Sequence, residues 1–141
     1  MILVIRISGM VEVDEKVEEA LFRMRLRRKY SAILMKESEE GMKLLKKVRD
    51  FVAFGKIDEK TLMELIAKRG ELKGGKKVGA VKASEIVKSL DKKSLQNFGV
   101  KPFFRLHPPI GGIDSKIHFG RKKGVLGDNK EKINDLVRRM L

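Results

Sequence analysis

The sequence predicts an α+β protein: a β-α-β-α-β core in residues 1–57, followed by a helical C-terminal extension over 58–141 that carries a long basic loop at 101–127. Three observations predict it. Short β-rich apolar runs alternate with amphipathic segments of helix length across the first 57 residues. The next stretch has apolar residues at helical spacing, preceded by an N-cap residue and followed by a glycine stop. The segment 101–127, KPFFRLHPPIGGIDSKIHFGRKKGVLG, sustains neither period and holds all three prolines and both histidines of the chain.

Residues 2–7, ILVIRI, are mostly apolar and β-rich and read as a buried strand. Asp14 is the expected N-cap of a helix reaching about Arg27, with Val17, Leu21, Met24 and Arg28 on one face and Ala20 beside them. Its acidic residues come early and its arginines late, the order that suits the helix dipole. AILMK, residues 32–36, is the second strand. Ser38 caps a helix whose inner face is Met42, Leu45 and Val48, and FVAFGKI, residues 51–57, is the third strand. Asp58 caps the next helix, with Leu62, Leu65 and Ile66 apolar and Gly70 as its stop. GELKGGKK is a basic turn. Ser84 is expected to start a short helix, SEIVKSL, and Ser94 another, SLQNFG. Asp128 or Asn129 caps a final helix with Ile133, Leu136, Val137 and Met140 on its apolar face.

The net charge is +14 over 141 residues, far more than solubility needs. It is also uneven. Residues 1–67 carry 14 basic and 12 acidic side chains, while residues 68–127 carry 15 and 4, a net of +11. Such asymmetry calls for an anionic partner, nucleic acid before membrane surface. With no cysteine, disulfides and thiolate metal sites are excluded. The opening run MILVIRISGM is too short to span a bilayer and lacks a preceding basic region, so a soluble cytoplasmic protein is expected, with no membrane partner.

Catalysis needs a positioned nucleophile, base or metal. His107 and His118 are the only imidazoles, eleven positions apart in the irregular segment and without zinc-motif spacing. No Walker or dinucleotide glycine pattern occurs. The expectation is a non-enzyme with no cofactor and no metal. The loop instead pairs cations with the PPIGG turn, in which Gly111 and Gly112 let the backbone approach phosphate closely. The candidate RNA-binding residues are the cluster Arg23, Arg25, Arg27, Arg28 and Lys29; the turn lysines Lys76 and Lys77; and, in or beside the loop, Lys101, Arg105, His107, Gly111, Gly112, Lys116, His118, Arg121, Lys122 and Lys123. Phe103, Phe104 and Phe119 either anchor the loop or stack on bases. The strands lack the glycine-aromatic octapeptide of RNA-recognition sheets, so folded RNA read by shape and backbone fits better than single strands read on a sheet.

The stretch LRRKYSAILMKESEEGMKLLKKVRDFVAFGKID, residues 26–58, together with TLMELIAKRGELKG, RLHPPIGGID at 105–114 and KIHFGRKKGVLG at 116–127, resembles the large-subunit ribosomal protein thirty family in its longer archaeal form. The eukaryotic relative is protein seven of that subunit. The resemblance covers essentially the whole chain, and RLHPPIGGID is its most specific part. It implies a ferredoxin-like β-α-β-α-β core and a structural role in the large ribosomal subunit. The partners it implies are large-subunit rRNA near the 5S rRNA region and other large-subunit proteins. One departure stands out: relatives often carry arginine between the two prolines and the two glycines, where this chain has Ile110. Composition alone leaves two alternatives open, a non-ribosomal RNA- or DNA-binding regulator and a small phosphate-handling enzyme.

Overall fold

A computed structural model describes residues 1–7, 14–72, 74–90, 95–110, 115–118 and 124–141. The first three strands are β1 (Ile2–Arg6), β2 (Ser31–Met35) and β3 (Val52–Lys56), separated by helices α1 (Glu15–Arg23) and α2 (Glu39–Val48). Helices α3 (Glu59–Arg69) and α4 (Ala80–Ser89) follow, then strands β4 (Phe104–Arg105), β5 (Ser115–His118) and β6 (Gly124–Asp128), and helix α5 (Ile133–Met140). The strands form one sheet in the order β4-β2-β1-β3-β6-β5. β1 runs antiparallel to both β2 and β3, while β6 joins β3, and β5 joins β6, in parallel. This is the expected α+β class with a ferredoxin-like β-α-β-α-β start.

The side-chain period of a strand explains the layers. On β1, Ile2 and Val4 enter one apolar cluster with Leu21 of α1 and Leu45 and Val48 of α2. Leu3, Ile5 and Ile7 enter the other, with Leu65 and Ile66 of α3, Ile86 of α4 and Val137 of α5. Helices therefore cover both faces of the sheet, which is why the β1 run needs no alternation of polar and apolar residues. Arg6 shares the α1–α2 side of β1, at 2% exposure.

Of the caps read from sequence, those at Ser38 and Asp58 are present, whereas α5 has no side-chain cap from Asp128 or Asn129. The Ser38 hydroxyl accepts from the Gly41 N–H at 3.0 Å, and the Asp58 carboxylate from the Thr61 N–H at 2.6 Å. Replacing Asp58 with alanine is expected to lower stability by about 1 kcal/mol in a urea titration, with nucleic-acid affinity unchanged.

Three boundaries differ from expectation. α1 ends at Arg23 and not near Arg27. α4 begins at Ala80, four residues before Ser84, because Ala83, Ile86 and Leu90 all bury on one helical face. The segment expected as one long loop contains β4, β5 and β6. The two-residue β4 is too short to display a period, and two glycines interrupt the apolar residues of β6.

α5 closes the molecule against β3. The Asn134 side chain accepts from the Asp58 N–H at 3.0 Å and donates to the Lys56 carbonyl at 3.3 Å. No helix among the described residues is long and apolar enough to cross a membrane.

Candidate nucleic-acid interface

α1 stops through a hydrogen-bond pattern that normally requires glycine. The Leu26 N–H returns to the Leu21 carbonyl at 2.9 Å and the Arg25 N–H to the Phe22 carbonyl at 3.0 Å. This is a Schellman cap, sealed by the buried pair Leu21 and Leu26. The residue in the left-handed position is Arg25, with φ 65°. An L side chain there costs about 1 kcal/mol or more. Arg25→Gly is accordingly expected to raise stability by about 0.5–1 kcal/mol while weakening RNA binding. Thermal unfolding and filter binding on the same preparation check both halves.

Arg6 holds the turn that follows. Its guanidinium donates to the Leu26 carbonyl at 2.7 Å, and its own carbonyl accepts from the Tyr30 N–H at 2.7 Å. Burial pulls the Arg6 pKa below its ordinary value, partly offset by the charge of Glu18; an arginine nonetheless stays protonated. Residues 25–30 are thus clamped to the sheet at both ends, with Arg25, Arg27, Arg28 and Lys29 exposed.

β4 completes the site. Ser31 pairs with Arg105 and Ala32 with Phe104. That register carries Arg105 and Phe103 to the arginine turn, across more than seventy residues of sequence. Arg25, Arg27, Arg28, Ser31, Phe103 and Arg105 together line a recess of about 250 Å³. The Arg105 guanidinium carbon lies 5.9 Å from the Phe103 ring centre, and that of Arg27 lies 4.2 Å from the ring centre of the exposed Phe22. Phe104 is fully buried and anchors the strand, so it offers no face to a base.

The charges in the recess are not offset from within. Arg23 pairs with Glu19 at 2.6 Å, one turn earlier on α1. Among the described residues no carboxylate pairs with Arg25, Arg27, Arg28 or Arg105. Four like charges around a small concavity repel one another and raise the local potential for an anion.

The other candidates fall elsewhere. Lys76 and Lys77 are exposed on a turn that pairs Glu71 with Lys77 and Leu72 with Val100. That turn lies against the segment leading into β4. Lys101 there is joined to Glu71 by an ion pair at 3.2 Å and by its N–H to the Glu71 carbonyl at 2.8 Å. The His107 N–H donates to the Met140 carbonyl and the Ile110 N–H to the Arg139 carbonyl, each at 2.9 Å. Two of the terminal carbonyls of α5 are thereby satisfied by the loop, and Pro108 and Pro109 between them have no N–H to place. Ile110 is 78% exposed, and the Arg139 side chain donates to its carbonyl at 3.0 Å. Lys116 and His118 sit on β5, at the opposite sheet edge from Arg105. Five strand steps separate the two edges, roughly 24 Å. Gly111, Gly112, Phe119, Arg121, Lys122 and Lys123 lie outside the described residues.

Sequence reasoning missed Arg6, Ser31 and Arg139. A charged residue inside the apolar run of β1 was the one available signal for the first. Among the described residues no group of three His, Asp or Glu side chains could hold a metal.

The chain is 40% identical to the large ribosomal subunit protein uL30 of Nanoarchaeum equitans, with 98% of this chain and 97% of the relative aligned. The chain belongs to the uL30 family. The uL30 proteins of Aeropyrum pernix and Pyrobaculum aerophilum are 36% and 38% identical, again over 98% of this chain and over 97% and 92% of the relatives. No protein-family model matches. The uL30 family is a family of ribosomal proteins, not of enzymes, which removes the phosphate-handling alternative.

Proposed function

We propose that this uL30 chain is a structural constituent of the large ribosomal subunit that binds rRNA, with other large-subunit proteins as neighbours. The observation that supports this best is the recess at β4. Four guanidinium groups without carboxylate partners among the described residues surround it, and phosphate is the anion a guanidinium fork fits. Lys29 extends the basic surface beside the arginine turn, and Lys76 and Lys77 add exposed cations on the turn that lies against the segment leading into β4. Gly111, Gly112, Lys116, His118, Arg121, Lys122 and Lys123 are proposed as further contacts to the same RNA. Both faces of the sheet are covered by helices, so RNA is met at edges and turns and not on an open sheet.

Filter binding to large-subunit rRNA tests the reading. With about 6–10 phosphates neutralised, affinity is expected to fall roughly a thousandfold or more between about 50 and 200 mM salt. A nearly flat salt response counts against it. Co-sedimentation with large subunits at moderate salt is expected as well; free protein throughout the gradient favours a non-ribosomal nucleic-acid-binding role.

A further inference from the structure

We infer that the recess between the arginine turn and β4 takes a single unstacked nucleotide of the bound RNA, its base against Phe103 and Arg105 and its phosphate on Arg25, Arg27 and Arg28. The inference rests on the RNA-binding reading and names the unit recognised at that site. A site for phosphate alone needs cations and nothing more. This one also has an aromatic wall: Phe103 is half-buried, packs against the α1–α2 cluster, and still lines the cavity. Aromatic faces and guanidinium planes are the two surfaces on which proteins stack RNA bases, and here Phe103 and Arg105 stand 5.9 Å apart. The volume, about 250 Å³, lies below the range of sites for drug-sized ligands and is on the scale of one base. A paired, stacked base has no free face to present, so the occupant is a bulged or looped-out nucleotide.

Two further features fit a base and its phosphate together. Ser31 is a lining residue, and its hydroxyl is a neutral group able to donate to or accept from a base edge. The Schellman bonds at the end of α1 and the clamp by Arg6 hold the turn in one geometry before RNA arrives, which lowers the ordering cost of binding.

The test uses the full chain and three RNA hairpins alike except at one position: a bulged adenosine, an abasic residue in the same bulge, and a fully paired stem. At fixed moderate salt the adenosine bulge is expected to bind about tenfold more tightly than the abasic bulge, the range set by loss of one base–aromatic stack. Phe103→Leu is expected to abolish that preference, its affinity for the adenosine bulge falling to that for the abasic bulge. Arg27→Ala with Arg28→Ala is expected to weaken binding to all three. Equal affinity of the parent for adenosine and abasic bulges, with strong salt dependence retained, overturns the nucleotide site and leaves the RNA reading standing. Failure to bind any hairpin or large-subunit rRNA overturns both. Should Phe103→Leu unfold, adenosine against abasic binding by the parent still decides.

Discussion

Replacing Arg25, Arg27 and Arg28 together with alanine should lower rRNA affinity about a hundredfold and leave the fold intact. Each solvent-accessible guanidinium–phosphate pair is taken at about 1 kcal/mol, and removing three of them amounts to about 3 kcal/mol, or about a hundredfold. The slope of log affinity against log salt should become shallower by about 2–3, because each phosphate released contributes roughly 0.7–0.9. Stability should move little. All three side chains are exposed, and alanine at such positions usually changes stability by less than about 0.5 kcal/mol. The one visible cost is the stack of Arg27 on Phe22, a small term at an exposed site. Relief of repulsion among the arginines works in the other direction. Arg23→Ala is the internal control: Glu19 already holds that guanidinium, so its removal should weaken binding less than Arg28→Ala. A triple variant that melts far below the parent yet binds rRNA normally would make the cluster a structural cap. Urea unfolding and filter binding on one preparation separate these outcomes.

Much of the core was legible because its signals are local. The run ILVIRI is apolar on both alternating faces, and both faces of β1 are buried. Ser38 and Asp58 cap the helices they precede. The errors fall where local signals mislead. α1 runs four residues short of its expected end because the stop residue is Arg25, and nothing in an arginine announces a left-handed φ. α4 starts early because Gly79 begins it with no side-chain cap, while Ser84 inside it looks like one. The arginine cluster could be seen within seven consecutive residues. Its union with Arg105 and Phe103 could not, since a two-residue strand, β4, sets that register. The same pairing separates what the sequence grouped: Arg105 and Lys116 share one basic segment yet sit on opposite edges of the sheet.

Gly55→Val should cost about 3 kcal/mol and weaken rRNA binding, although no side chain that faces RNA is changed. Gly55 lies in β3, paired with Leu3 of β1. A Cβ at this position would fall 2.2 Å from the Lys130 carbonyl oxygen and 3.0 Å from the Ile133 Cβ. The first obstacle is backbone, so no rotamer change relieves it, and overpacking of this kind costs about 1–3 kcal/mol or more. Either β3 leaves its register with β1 or the chain before α5 moves out. The central strand is the harder to displace, because β3 is bonded on both sides, to β1 and to β6. The movement therefore falls on α5, whose Ile133, Leu136, Val137 and Met140 fill the core beneath it. α5 in turn holds the loop: the Met140 and Arg139 carbonyls accept from His107 and Ile110. Shifting the helix loosens that segment, two residues beyond Arg105 and the recess. Hydrogen exchange should show the His107 and Ile110 amides losing protection in Gly55→Val, with amides of β1 and β2 much less affected. Gly74→Ala is the matched control, since φ there is 109° but a Cβ would meet nothing within 4 Å; only local backbone strain of about 1 kcal/mol is expected. Unchanged protection at 107 and 110, or a Gly55→Val variant within about 1 kcal/mol of the parent, would show that the seam between β3 and α5 yields without carrying the loop with it.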